Sequence, residues 1–171
     1  KNWRVGGMNI PTARDDGINQ PSYNYSVVAV QRQLFARSNI SAIFVDKSNF
    51  DEQPVDVTSP QDGSSNKLFG LDYNLASADG RWSGKLYYHQ TFDDNNGQSP
   101  FSHGASLQYN SLRFRAGWTH QIVGRDFDAK VGFVPRTDFR RINPEVGIII
   151  YPNSQWINRH ELTLSNDMLW N

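Results

Sequence analysis

The sequence predicts an all-β protein, an antiparallel up-and-down meander of about nine long strands forming part of a transmembrane β-barrel. Three observations predict it. Apolar and polar residues alternate with a period of two over most of the chain, the pattern of strands with one apolar face. Helical periodicity is nearly absent. The connections alternate between long and short, as they do where periplasmic turns are tight and extracellular loops are long.

The expected strands are 3–13, 23–35, 39–49, 67–77, 81–92, 102–110, 112–123, 140–151 and 157–170. They would occupy roughly two-thirds of the chain, against about 20–25% strand in an ordinary globular protein. At about 9–14 residues they exceed the ~5–6 usual for strands and suit the ~9–11 needed to cross a bilayer at a tilt. The first three strands are joined by the long "RDDGINQPS" and the short "ARS", and the long "DEQPVDVTSPQDGSSN" leads to the fourth. In the fourth, Phe69, Leu71, Tyr73 and Leu75 alternate with Gly70, Asp72 and Asn74. Asp79-Gly80 supplies a two-residue hairpin turn, and the fifth strand follows with Trp82, Leu86, Tyr88 and Phe92 in one phase. "DDNNGQSP" (long), Asn110-Ser111 (short), "GRDFDAKVGFVPRTDF" (long) and "PNSQ" (short) complete the connections.

Each strand therefore has an apolar face that needs a cover, and lipid is the expected one. Phe69, Leu71, Tyr73, Leu86, Tyr88, Ala105, Leu107, Tyr109, Phe114, Ala116 and Trp118 would point outward. Gly70, Asp72, Asn74, Lys85, His89, Ser106, Gln108, Arg113, Arg115, Thr119 and Gln121 would point into the lumen. A polar interior reconciles a polar mean hydropathy and only 37% apolar residues with a membrane protein. Aromatics gather near strand ends, as interfacial girdles require: Phe35, Trp82, Tyr109 and Trp156 near short turns, Phe50, Phe69, Phe92 and Phe101 near long loops. The alternative is a soluble antiparallel β-barrel binding protein whose aromatics form the core.

Composition narrows the function. Seventeen basic residues balance seventeen acidic ones, so no global basic field exists to recruit nucleic acid. The absence of cysteine excludes disulfides, thiolate metal sites and cysteine nucleophiles. No apolar run is long enough for a transmembrane helix. Lys1 is not an initiator methionine, consistent with a mature or internal segment.

Tyr109-Asn110-Ser111, Phe127-Asp128, Val131-Gly132-Phe133-Val134-Pro135-Arg136 and Arg140-Arg141 occur in an order that resembles a known family. It is the C-terminal β-barrel domain of unknown function of Gram-negative outer-membrane proteins, commonly found behind a family-nine-like carbohydrate-binding domain. "NYSVVAVQRQLFARSNISAIFV" is similar to that family's second and third barrel strands. The resemblance covers most of the chain, is strongest at Val131–Arg136, and implies an outer-membrane location with no assigned chemistry.

An odd strand count would leave the two ends on opposite sides of the membrane, whereas single-chain bacterial barrels have even counts. "LSNDMLWN" also lacks the terminal aromatic of a closing strand. The expectation is thus one segment, 1–171, of a larger barrel that is incomplete at both ends. The alternative is an eight-stranded barrel of strands two to nine, with 3–13 as a plug or tail.

Catalytic and metal-binding patterns are weak. His89, His103, His120 and His160 show no ligand spacing, and no GxSxG or phosphate-cradling loop occurs. "DDNNG" at 93–97 is oxygen-rich but lacks the spacing of a calcium loop. Ser106 and His120 could only serve a hydrolase if they shared a face, and alternation separates them. No cofactor and no enzymatic role are expected. Lumen-facing Asp72, Lys85, His89, Gln108, Arg113 and Arg115 form either an anion-favouring lining or internal ion pairs. Arg125, Arg136, Arg140 and Arg141, with Lys130, form a basic loop cluster interleaved with Asp126, Asp128 and Asp138. It is either self-neutralised or an anion or lipopolysaccharide site. Two functions follow: a transport, uptake or porin-like barrel, or a structural barrel anchoring a binding domain or partner at the outer membrane. The expected partners are outer-membrane lipid, the remaining strands of the barrel, and membrane or periplasmic proteins.

Overall fold

The computed structural model describes residues 3–15, 17, 20–50, 65–93, 98 and 100–171. The alternation of the sequence becomes ten strands of one antiparallel sheet: β1 (Trp3–Thr12), β2 (Tyr23–Leu34), β3 (Ser38–Asn49), β4 (Asn66–Ala76), β5 (Trp82–Asp93), β6 (Phe101–Asn110), β7 (Phe114–Val123), β8 (Phe139–Ile150), β9 (His160–Ser165) and β10 (Met168–Trp170). No helix occurs among the described residues. β1 through β8 pair strictly with their sequence neighbours, and β9 and β10 both pair with β8. The up-and-down meander is therefore the fold.

The ninth expected strand, 157–170, is divided. β9 pairs Glu145 with Ser165, β10 pairs Ile142 with Met168, and both ladders keep one register across the gap. The Asn166 N–H donates to the Pro144 carbonyl at 3.1 Å, but Pro144 has no N–H to return. That missing donor is the physical reason one strand is assigned as two.

Turn chemistry explains the tight connections. In 77–81 the Gly80 N–H donates to the Ser77 carbonyl, and Gly80 adopts φ +72°, which suits a residue without Cβ. In 111–113 the Ser111 hydroxyl both donates to the Phe114 carbonyl and accepts its N–H. Both turns are longer than the two-residue hairpins expected. The last connection departs further: it spans 151–159 rather than the short "PNSQ", so the long-short alternation holds for seven connections and fails at the eighth. Arg113, expected inside a strand 112–123, lies in the turn before β7, in phase with the lumen set through its carbonyl's bond to the Ile149 N–H.

Register fixes the two faces. Tyr73, Leu86 and Ala105 stand in one cross-strand row, as do Gly84, Leu107 and Trp118. Leu71 pairs with Tyr88, and Phe114 with Ile148. The middle of this face is apolar and its large side chains are exposed, while a polar row of Asn9, Ser26, Asp46 and Lys67 crosses β1 to β4 at the long-loop end. The opposite phase carries Asp72, Asn74, Lys85, His89, Ser106, Gln108, Thr119 and Gln121, as the alternation predicts. We call it the inward face. The edges are β1 on one side and β9 with β10 on the other, and no described ladder joins them or pairs β2 with β9. The eight-stranded closure of strands two to nine is thereby ruled out for this sheet.

Candidate functional site

The inward face is held by cross-strand polar pairs. Asp72 on β4 lies between two side chains of β5: Lys85 Nζ at 2.8 Å and His89 Nε2 at 3.2 Å. Beside it, Gln31 and Asn74 both donate side-chain N–H groups to the Asn39 Oδ1 at 2.9 Å, an amide ladder across β2, β3 and β4. Farther along the sheet, Arg115 meets Glu161 at 3.0 Å and donates to Asn110. Arg159 also contacts Glu161. Gln108 lines a depression with Asn110, Arg115 and Glu145. Lys85 and Arg115 are thus each matched by a carboxylate, and the geometry favours internal ion pairs over an uncompensated basic stripe.

The basic loop cluster is corrected by the structure. Arg140 and Arg141 belong to β8 rather than the loop, and adjacent strand residues point to opposite faces. Arg141 forms a two-point pair with Asp167 at 2.7 and 2.6 Å. Arg125 pairs with Asp138 at 3.3 Å, and Arg136 donates to the Asn171 side chain while its guanidinium lies over the Phe139 ring. Lys130 pairs with Asp128. These cations are taken up by separate partners and do not converge on one anion site.

Two features were not anticipated. On the outward face the rings of Tyr88, Phe101, His103, His120 and Trp118 make a chain at 5.5–6.4 Å between neighbours. His103 pairs with Ile122 and His120 with Ala105, so the two histidines are diagonal neighbours in the phase of the apolar residues, and their ring contact was readable only from the β6–β7 register. No group of three metal-ligating side chains occurs among the described residues, and residues 94–97 of the oxygen-rich "DDNNG" lie outside them. Ser106 and His120 fall on opposite faces, as alternation requires.

The second feature lies at the long-loop end of the inward face. Lys47, Asn66, Thr91, Ser102 and Val123 are buried there, with Phe127 from the connection 124–138. The Asn66 amide, only 2% exposed, donates to the Asp128 carbonyl at 3.0 Å and accepts the Lys130 N–H at 3.3 Å. The Asp128 N–H reaches the Thr91 hydroxyl at 3.4 Å, and the Gly132 N–H closes a turn on the Ala129 carbonyl. One side chain thus grips the backbone on both sides of Ala129. From β7 to β4 is three strand spacings, about 14 Å, and the five residues from Val123 to Asp128 can reach about 17 Å. The connection turns first at 124–127, where the Phe127 N–H donates to the Gly124 carbonyl at 3.3 Å, and then reaches across the inward face to the Asn66 side chain.

No family model, no curated protein and no solved structure matches the chain.

Proposed function

We propose that this chain is wall of an outer-membrane β-barrel, most simply one that passes solute through a polar lumen. The observation that carries the reading is the two-faced sheet. Its outer face carries a band of exposed apolar side chains across the middle of the sheet, an expanse soluble proteins rarely leave exposed, while its inner face carries ion pairs and amide ladders. Lipid suits the first and a lumen the second. In hydrocarbon an open strand edge leaves backbone groups unsatisfied at several kcal/mol each, so β1 and β9 would pair with further strands of the same barrel. The resemblance to the Gram-negative barrel domain points the same way. No cofactor, catalytic centre or nucleic-acid partner enters this reading.

The test is conductance of the purified protein in planar lipid bilayers. Stepwise unitary currents support a solute path. A sealed bilayer would move the reading to the alternative, a structural barrel anchoring a binding domain or partner. Two observations favour that alternative: the connection across the inward face, and the apolar inward residues of β1–β3.

A further inference from the structure

We infer that residues 124–138 are a strap fixed inside the barrel mouth that limits the size of what passes, with Asn66 as the residue that sets it. The inference rests on the barrel reading above.

The strap is a built contact. A connection at the rim of a sheet ordinarily stands in water and satisfies its backbone there. This one sends Asp128 and Lys130 over β6 and β5 to a nearly inaccessible asparagine on β4. Thr91, 1% exposed, adds a hydroxyl acceptor from β5. Burying a polar side chain is costly unless its hydrogen bonds are made, and Asn66 makes one as donor and one as acceptor. Nothing about β4 itself calls for an amide at Asn66, where the pairing with Lys47 and Asp93 is through the backbone. The amide's two partners belong to the strap. Phe127, buried one residue before the latch, adds an apolar anchor. Beyond the latch the chain turns at Ala129–Gly132 and presents Phe133, 89% exposed, at its crest.

Asn66→Asp keeps shape and size but replaces the donor by an oxygen facing the Asp128 carbonyl. Thr91→Val removes the second acceptor. Because the chain has no cysteine, Asn66→Cys with Lys130→Cys reports docking without background. The experiment compares unitary conductance, and vesicle uptake of saccharides of increasing length, for the parent protein, N66D/T91V, and N66C/K130C under oxidising and reducing conditions.

The expected result has three parts. The cysteine pair cross-links on mild oxidation. N66D/T91V conducts severalfold more than the parent and admits longer saccharides. The oxidised cysteine pair conducts no more than the parent. Cross-linking with unchanged conductance and cut-off in N66D/T91V would overturn the size-limiting role while leaving the solute path standing. Failure to cross-link in correctly assembled protein would overturn the docking itself. Silence of parent and N66D/T91V alike would overturn the solute path and, with it, the strap's role.

Discussion

Leu86 tests the lipid assignment most directly. It is 58% exposed on the outward face, between Tyr73 and Ala105. Trp82 lies four residues before it and Phe92 six after, both in the same phase and at opposite ends of β5. At about 3.4 Å per residue and about 40° tilt, Trp82 and Phe92 stand about 26 Å apart along the normal, matching an apolar band of about 25 Å. In the barrel reading Leu86 would then sit about 3 Å from the midplane by the same measure. Arginine there should cost about 2–4 kcal/mol, lowering the folding equilibrium constant by about 30-fold to nearly 1,000-fold at 1.4 kcal/mol per decade. The control is Gln108→Arg, an exposed inward position one strand away, expected to stay within about 0.5 kcal/mol. Urea titration of protein assembled in phosphatidylcholine vesicles, read by tryptophan fluorescence, measures both. A water-facing Leu86 would tolerate arginine as Gln108 does. Equal costs on the two faces refute the reasoning.

Three further outcomes are expected. A Cβ at Gly104 would lie 2.7 Å from the Tyr87 ring and 2.8 Å from the His120 carbonyl oxygen, whereas Gly6 has open space around it; Gly104→Ala should cost about 1–3 kcal/mol in the same titration, and Gly6→Ala almost nothing. A double-mutant cycle of Asp72→Asn with Lys85→Met should give a coupling of about 0.5–1 kcal/mol, because Lys85 is half exposed and screened; zero coupling would mean the pair does not form. In the turn 77–81, the Ser77 hydroxyl first and then the Arg81 N–H hold the Asp79 carboxyl below its ordinary range. A lowered folded-state value means the contribution is whole above about pH 3.8 and is lost as pH falls through the folded value. Asp79→Asn should remove that acid-side dependence from the unfolding curve while leaving the neutral-pH side unchanged in shape.

The strands were legible because period two is imposed by the pleat itself, and each hairpin register follows once the two phases are matched across a turn. Thus Asp72, Lys85 and His89 could be placed on one face before any contact was known, and the structure brings those three within hydrogen-bonding reach. Arg140 and Arg141 were grouped with the loop cations although the expected strand 140–151 already contained them; the Gln121–Arg141 and Ile122–Arg140 pairings place them in β8 and, by alternation, on opposite faces. The strap was not legible at all. Its contacts join Asn66 to residues 62 and 64 positions away, and neither the asparagine nor the backbone groups of "DAK" carry a local pattern that announces such a partner.

In the barrel reading the inner wall is not uniform, and the difference bears on what it could pass. From β4 to β9 the inward phase is Asp72, Lys85, Ser106, Thr119, Gln121, Asn143 and Glu161. In the middle of β1 to β3 it is Met8, Ile10, Val27, Ala29, Ile43 and Val45, between Arg4, Gln31 and Asn39 at the short-turn end and Lys47 at the other, with apolar Val5, Val28, Val30, Ala42 and Phe44 in the outward phase. A strand apolar on both faces is the mark of cover on both sides, and water on either side of "SVVAV" would forfeit the burial of several β-branched side chains. Lipid supplies the outer cover in the barrel reading. The strap is anchored on β4 and β5, at Asn66 and Thr91. A hydrated path would therefore follow the polar arc of β4 to β9, beneath the strap, leaving the β1–β3 arc for apolar contact. Charge substitutions at Val27 or Ile43 should accordingly destabilise the protein, while the same changes at Gln108 or Gln121 alter only conduction; an unfolding titration beside a current recording separates the two arcs, and equal behaviour of both would mean the inner wall is wet throughout.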